Sequence, residues 1–200
     1  MKTYNFKQGS EEWRKVRLGK LTASNAQAIA ARGRGLDSLA FEKAAEILTG
    51  KPKTNYINSD IDRGNELEHL ARNAYEIETG NKVVEVGFCE MDETAGASPD
   101  GFVGKKGIVE IKCKNDANFV KFLYDQKVDP AHNYQMQMQM FITDREWVDY
   151  VLFNENFTPS ISIKRVERND FDIAKIKGGL AFGLGQIKTI LEKVKNGKSK

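Results

Sequence analysis

The chain has 200 residues, of which 40% are hydrophobic and 30% are charged, and this composition predicts a globular protein with a core of its own. No apolar run is long enough to cross a bilayer and residues 1–6 lack a signal-peptide core, so we exclude a membrane protein and expect a cytosolic one. The formal net charge of +3 permits a nucleic-acid partner if positive charge concentrates on one surface. Cys89 and Cys113 lack metal-site spacing, so we expect buried free thiols.

The first third of the chain predicts helices separated by short turns. Ser10 caps a helix that ends near Gly19, and Thr22 or Ser24 starts a second helix that runs through Ala31.

The start of this second helix is a candidate anion site. Free amides and hydroxyls at a helix start bind anions, and Arg17 is close enough in sequence to join Thr22 and Ser24 there. Ordinary capping beside a surface arginine explains the same residues, so the sequence leaves both interpretations open.

The next stretch predicts a flexible basic loop at residues 32–35, in which Arg34 contacts a nucleic-acid backbone or faces solvent. Asp37 or its neighbour then caps a helix through about Leu48, and residues 51–59 form a polar linker.

Residues 60–79 predict a long helix with an apolar stripe at three- and four-residue spacing, ended by Gly80. Glu66 and Glu68 flank this stripe on opposite sides. At 3.6 residues per turn, each is rotated about 100° around the helix axis from the stripe. Periodicity therefore does not decide which glutamate reaches inward, and a solvated position is the default for both.

Residues 82–90 predict a strand, and the stretch after it predicts a β-hairpin. Ile108–Cys113 is a short β-branched run typical of an interior strand, in which alternation places Glu110 and Lys112 on one face. Asp100 precedes a glycine where a strand bends or begins, and a turn at residues 104–107 brings it beside Glu110.

Two carboxylates brought together in this way need a remedy for their repulsion. At 4 Å they repel by roughly 4 kcal/mol at an effective dielectric of about 20. Asp100 and Glu110 therefore share a proton, recruit a hard cation such as Mg²⁺, or depend on Lys112, which can also orient a water or steady a phosphate. A Glu–Lys pair on a solvent-facing strand is the plain structural alternative.

The last third predicts helices at residues 117–124 and 130–141. The second segment alternates glutamine with methionine, which is typical of a strand, but its length, its starting proline and the low strand preference of glutamine favour a helix. This helix is buried nearly all round, so its glutamines need partners, either in the carboxylate cluster or on another helix. His132, near its start, is equally consistent with a surface residue and a ligand.

Two strands follow at residues 146–153 and 161–166, and Asn169-Asp170 caps the last helix. Its glycines predict either close backbone packing or a break near residues 178–185.

The ordered motifs along about residues 10–143 resemble the lambda-exonuclease (YqaJ-type) viral recombinase family of PD-(D/E)XK nucleases. The matching residues are Trp13, Arg17-Leu18-Gly19, Thr22-Ala23-Ser24, Gly64, Glu68, Ser98-Pro99-Asp100-Gly101, Glu110-Ile111-Lys112-Cys113, Gln135 and Gln137.

The resemblance implies an α/β (α+β) fold with a PD-(D/E)XK core, a central mixed β-sheet flanked by helices. Residues 1–200 would form a single nuclease domain with an N-terminal helical elaboration and a C-terminal helix.

The resemblance also assigns roles to site residues. It implies that Glu68 rather than Glu66 binds two Mg²⁺ or Mn²⁺ ions, together with Asp100, Glu110 and the Ile111 carbonyl.

In the same family pattern Lys112 positions the attacking water, supported by Gln135. Arg17, Ser24 and Thr22 form a 5′-phosphate pocket, and Arg34 contacts DNA.

The activity implied is Mg²⁺-dependent 5′-to-3′ digestion of one strand of linear duplex DNA by a ring-shaped homotrimer. The product is a 3′ single strand for an annealing partner, and the protein is expected in the cytoplasm of a bacterial host, encoded by a phage or prophage. An endonuclease or single-strand nuclease with the same core remains an alternative, and a non-catalytic DNA-binding scaffold is a weaker one.

Overall fold

The computed structural model describes residues 1–52 and 59–197, with the backbone alone for residues 59–66. Most of the predicted linker, and the Glu66 side chain, therefore lie outside the described residues. The helices of the described part are α1 (Glu11–Arg17), α2 (Ala26–Ala31), α3 (Arg34–Thr49), α4 (Ser59–Thr79), α5 (Asp116–Asp125), α6 (Pro130–Thr143) and α7 (Asp170–Gly197). Its strands are β1 (Lys2–Tyr4), β2 (Leu21–Thr22), β3 (Val83–Val84), β4 (Phe88–Glu90), β5 (Ala95–Ala97), β6 (Gly101–Val103), β7 (Gly107–Cys113), β8 (Trp147–Phe153) and β9 (Ile161–Glu167).

The strands form two sheets. The larger has the order β3-β6-β7-β8-β9, in which β7 and β8 are parallel and the other neighbours are antiparallel. The smaller has the order β1-β4-β5-β2. Mixed strand directions with helices packed against the larger sheet agree with the expected α/β architecture.

The two faces of β7 belong to different parts of the core. Val109 and Ile111 pack with apolar residues of α4, whereas Ile108 packs with α5 and α6. Glu110 and Lys112 share the parity of Ile108 and therefore face α5 and α6, as the alternation predicts. This face carries Glu110 and Lys112 of the candidate site.

The long helix α7 is continuous, so the predicted break near residues 178–185 is wrong and the predicted close packing is confirmed. A Cβ at Gly179 would overlap the carbonyl oxygen of Ile29, which shows how closely α7 approaches α2. At Gly185, in contrast, a Cβ would meet nothing within 4 Å and would face open space.

Some predictions for the first hundred residues are wrong in detail. The predicted basic loop at residues 32–35 is shortened to Arg32 and Gly33, because α3 begins at Arg34 with Gly33 as its N-cap instead of Asp37. The predicted helix start at Thr22 is confirmed, because Thr22 precedes a 3₁₀ turn at Ala23–Asn25 that leads into α2, although its side chain makes no capping hydrogen bond.

The single strand predicted for residues 82–90 is also wrong. It is two strands, β3 and β4, in different sheets. At Gly87, between them, a Cβ would collide with the backbone of Phe6, so the chain crosses another segment closely there.

Other elements agree with the sequence. The Ser10 cap, the helix over residues 130–141, the two late strands and the Asn169 cap are confirmed, with ends shifted by one or two residues. Neither Cys89 nor Cys113 forms a disulfide; Cys89 is buried as expected, and Cys113 is only partly buried. Along the described chain, no helix has both the length and the apolar character required to traverse a bilayer.

Candidate active site

The hairpin of β6 and β7 places Asp100 against the middle of the larger sheet. Gly101 pairs with Val109, and one carboxylate oxygen of Asp100 accepts a hydrogen bond from the Ile111 amide at 2.6 Å. Gly101 is required here because a Cβ would collide with the Val83 side chain. The predicted juxtaposition of Asp100 with the Glu110 segment is confirmed.

Glu110 is 1% exposed, and three side-chain nitrogens hold its carboxylate. Lys112 Nζ and Gln135 Nε2 donate to one oxygen at 2.7 and 2.6 Å, and Gln139 Nε2 donates to the other at 2.6 Å. A buried carboxylate tolerates its desolvation when hydrogen bonds of this kind satisfy its oxygens. Two glutamines of α6, Gln135 and Gln139, thus find their partner in the carboxylate cluster.

Gln139 is a site residue that the sequence analysis missed. It lies four residues after Gln135 and so faces the same side of α6, which is the signal that would have found it. Gln137 faces elsewhere, because its amide joins the Glu167 carbonyl and the Asn169 amide at the start of α7.

Glu68 approaches the same cluster from α4. Burial raises the pKa of Glu68, and the charge of Glu110 contributes in the same direction. Burial also raises the pKa of Asp100 well above its usual range, with the charges of Glu110 and Glu68 acting on it as well. The three carboxylates are therefore close enough to repel one another.

In this structure, the three carboxylates already accept hydrogen bonds from protein groups. Glu68 is paired with Arg72, which also binds Glu85. Within residues 1–52 and 59–197, no three Asp, Glu, His or Cys side chains are arranged as a ready metal-binding group. The donor set nevertheless suits a hard cation, since mutually repelling carboxylates with raised pKa values are stabilised by a divalent ion and oxygen is its preferred ligand.

Lys112 stays protonated in this setting. Burial alone would lower its pKa, but the charges of Glu110 and Asp100 outweigh burial and raise the pKa above its ordinary value. The ammonium is three-quarters buried and lies 2.7 Å from Glu110. It therefore presents a fixed positive charge beside the carboxylate cluster.

Arg17 forms a second, separate feature, which we call the Arg17 pocket (Trp13, Arg17, Thr22, Ser24 and Ser98). Its guanidinium stacks on the Trp13 ring at 4.0 Å and donates to the hydroxyls of Ser98 at 3.1 Å and Thr22 at 3.5 Å. The Thr22 hydroxyl lies 3.1 Å from that of Ser24. The structure thus brings together three of the predicted anion-binding residues.

The Arg17 pocket holds a cation with neutral partners. Burial lowers the pKa of Arg17 to about 10, so it remains charged at neutral pH. Its guanidinium donates to hydroxyls, and a desolvated cation with such partners favours an incoming anion. Trp13 and Ser98 were not predicted as pocket residues; Trp13 Nε1 donates to Ser98 Oγ at 2.9 Å and fixes the stack.

A short chain segment connects the Arg17 pocket to the carboxylate cluster. Ser98 lies two residues before Asp100, so the hydroxyl that receives Arg17 and the carboxylate of the cluster are carried by one short segment. Arg34 is exposed at the first residue of α3, and no contact within the described residues joins it to the pocket.

His132 is not a fully exposed surface residue. It is partly buried, and its Nδ1 lies 2.7 Å from the hydroxyl of Tyr150, which is the β8 partner of Glu110. The charge of Lys112 lowers the pKa of both Lys114 and His132, and Tyr150 in turn affects the pKa of Lys112. These side chains therefore lie close to Lys112.

Comparisons with known proteins agree with this arrangement. The model of the YqaJ-like viral recombinase domain matches residues 12–146. The alkaline exonuclease (LHK-Exo) from Laribacter hongkongensis is 36% identical, with 95% of this chain and 98% of that chain covered and a TM-score of 0.88. LHK-Exo in complex with dAMP is 35% identical at the same TM-score, with 96% and 100% covered.

A phage related exonuclease from Haemophilus somnus 129PT is 19% identical over 88% of this chain and 96% of that chain, with a TM-score of 0.67, and supports the fold alone. Among curated proteins, no sequence matches significantly. The family match and the alkaline exonuclease neighbours agree with a nuclease built on the PD-(D/E)XK core, and the chain belongs to the YqaJ-like viral recombinase family.

Proposed function

We propose that this nuclease is a Mg²⁺-dependent exonuclease that digests one strand of linear double-stranded DNA from its 5′ end and leaves 3′ single-stranded overhangs. One observation carries the proposal: Asp100, Glu110 and Lys112 meet at the hairpin of β6 and β7, and Ser98 joins them directly to the partly buried cation of Arg17. A hydrolytic centre beside an anion pocket suits an enzyme that recognises a phosphorylated end.

Glu68, Asp100, Glu110 and the Ile111 carbonyl would hold the divalent ions, Mg²⁺ or Mn²⁺, and we propose two of them. When bound, such ions polarise the phosphate and lower the pKa of an attacking water. The raised pKa values of Asp100 and Glu68 support this assignment, because burial first and mutual repulsion second disfavour their charged forms, and nearby positive charge favours those forms.

Lys112 would position the attacking water and offset the negative charge that accumulates on the phosphate. Its ammonium is fixed by Glu110, so little reorganisation is needed when that charge develops. Gln135 and Gln139 hold the Glu110 carboxylate in one orientation, because each donates to a different oxygen. Removing Lys112 should therefore abolish turnover while DNA binding persists.

The Arg17 pocket would bind the 5′-phosphate of the strand being digested, with hydroxyls from Thr22 and Ser24. Stacking on Trp13 holds the guanidinium before the ligand arrives, which reduces the entropy lost on binding. A phosphate fixed in this pocket sets the distance to the carboxylates and so gives both polarity and a one-nucleotide step. Arg34 would contact the DNA backbone outside the pocket.

The remaining parts of the proposal rest on the family resemblance. Residues 1–200 would act as a single nuclease domain in a homotrimeric ring around the DNA, and a single-strand annealing protein would receive the 3′ strand. The setting would be the cytoplasm of a bacterial host, with a phage or prophage as the source. Light scattering at known concentration tests the trimer, and a monomer at all concentrations would contradict it.

The decisive assay uses linear duplexes labelled at one defined end, with and without Mg²⁺. We expect release of 5′ mononucleotides from the phosphorylated strand only, no digestion of covalently closed circles, and loss of activity in EDTA. Lys112→Ala should show no turnover but unchanged DNA binding, with Lys188→Ala on the exposed face of α7 as the control. Cleavage of closed circles would instead support an endonuclease of the same core.

A further inference from the structure

A second group of donors lies beside Lys112, on its β8 side. Lys114 lies two residues after Lys112. Its amide still donates to the Phe153 carbonyl at 3.0 Å, so the strand geometry of β7 continues to this point. The side chains of Lys112 and Lys114 therefore leave the same face of the sheet. His132 of α6 and Tyr150 of β8 complete this group, which we call the Lys114 site.

Lys114 has no ion-pair partner within 4.0 Å among the described residues, whereas Lys112 pairs with Glu110. Burial and the charge of Lys112 both lower the pKa of Lys114, while the charge of Asp129 contributes in the opposite direction without forming an ion pair. A partly desolvated lysine without a paired carboxylate, next to a second lysine, favours an anionic ligand.

His132 adds a neutral donor. Tyr150 is 2% exposed, and within the described residues its hydroxyl has His132 Nδ1 as its hydrogen-bond partner. A buried hydroxyl donates to the available acceptor, so Nδ1 accepts and Nε2 carries the proton. Burial and the charges of Lys112 and Lys114 lower the pKa of His132 to about 4, which keeps the ring neutral.

The Lys114 site and the Arg17 pocket lie on opposite sides of Lys112. Arg17 of α1 donates to Ser98 in the segment that leads into β6, whereas His132 contacts β8, and β7 lies between these two strands. A DNA strand whose 5′-phosphate is held at Arg17 and whose first linkage lies at the carboxylates would continue toward β8.

We infer that Lys114, assisted by His132 Nε2, binds the phosphate of the second internucleotide linkage, immediately 3′ of the scissile one. This inference rests on the proposed 5′-to-3′ function and names a contact within its substrate. The contact holds the strand on both sides of the reacting phosphate, so that the scissile linkage is presented in a fixed orientation.

The test combines Lys114→Ala with duplexes in which one linkage is a neutral methylphosphonate. Binding is measured in EDTA and removal of the first nucleotide in Mg²⁺. Losing one lysine–phosphate contact should weaken binding about 10-fold and reduce the salt slope, d log K/d log[salt], by about 0.7–0.9. The wild type should lose a similar factor when the second linkage is neutral, whereas Lys114→Ala should lose nothing further.

Lys114→Arg restores a cation and should recover most of the affinity, while Lys188→Ala serves as the charge-matched control. Additive penalties from Lys114→Ala and the neutral second linkage would overturn the inference, as would an unchanged salt slope. These results remain distinct from a failure of the proposed function. If the wild type shows no Mg²⁺-dependent digestion from 5′ ends, the proposed function fails, whatever the Lys114 variants do.

Discussion

Replacing Arg17 by alanine tests the 5′-phosphate pocket directly. The guanidinium is held by Trp13, Ser98 and Thr22 before any ligand arrives, so its hydrogen bonds to a phosphate cost little ordering. Hydrogen bonds to a charged group contribute about 1.5–3 kcal/mol. At about 1.4 kcal/mol per factor of ten, kcat/KM on 5′-phosphorylated duplexes should fall by roughly 10- to 150-fold.

The same substitution should affect a duplex with a 5′-hydroxyl end by less than about threefold, since the lost contact has no partner there. Arg14→Ala is the matched control, because Arg14 is an exposed arginine of the same helix. Initial rates on paired substrates that differ only in the terminal phosphate give the comparison. Equal losses on both ends would refute the pocket and return Arg17 to a structural role.

Three further predictions concern the supports of the site and the fold. Gln139→Leu removes one donor from Glu110 and should lower kcat about 10-fold or more, with DNA affinity unchanged; full activity would remove Gln139 from the site. Asp149→Ala breaks the buried contacts with a tyrosine of α4 and an arginine of β9 and should cost about 2–4 kcal/mol in urea unfolding, with the activity of the folded protein retained. Gly179→Ala should lower the free energy of unfolding by about 1–3 kcal/mol, because α7 touches α2 there. Gly185→Ala, in open space, should leave it unchanged or raise it by up to about 1 kcal/mol. Equal effects of the two variants would contradict the close packing.

The central hairpin was predictable because its signals are local. Strand alternation alone places Glu110 and Lys112 on one face, and the glycine-rich turn alone gives a hairpin of the right length. Both signals survive in the structure, where Asp100 meets the Ile111 amide. The capping of α1 by Ser10 was predictable for the same reason, since a cap needs only the next three residues.

The elements that sequence analysis placed wrongly depend on distant partners. Residues 82–90 alternate like one strand, but the close approach of another segment at Gly87 divides them between two sheets. Arg34 starts α3 without a capping side chain, so no local residue type marks that boundary. In both places tertiary packing decides the structure, and local preference gives no warning.

The central residues of the site were predictable from the sequence, but not every residue that holds them in place. Periodicity left Glu66 and Glu68 equivalent, and only the family resemblance favoured Glu68. Arg72 pairs with Glu68 at i,i+4 on the same helix, a spacing that the sequence shows. Gln139, which holds Glu110, comes instead from a helix whose docking against the sheet cannot be read from local pattern. Such supporting contacts become visible only when the helices are placed against the sheet.

The proposed mechanism requires Glu68, Asp100 and Glu110 to converge on a divalent ion beside Lys112. The most direct measurement is anomalous scattering from crystals soaked in Mn²⁺ with a 5′-phosphorylated duplex. We predict manganese peaks within coordination distance of Asp100 and Glu110, with the terminal phosphate at Arg17. Manganese bound elsewhere, with these carboxylates still held only by protein donors, would contradict this mechanism.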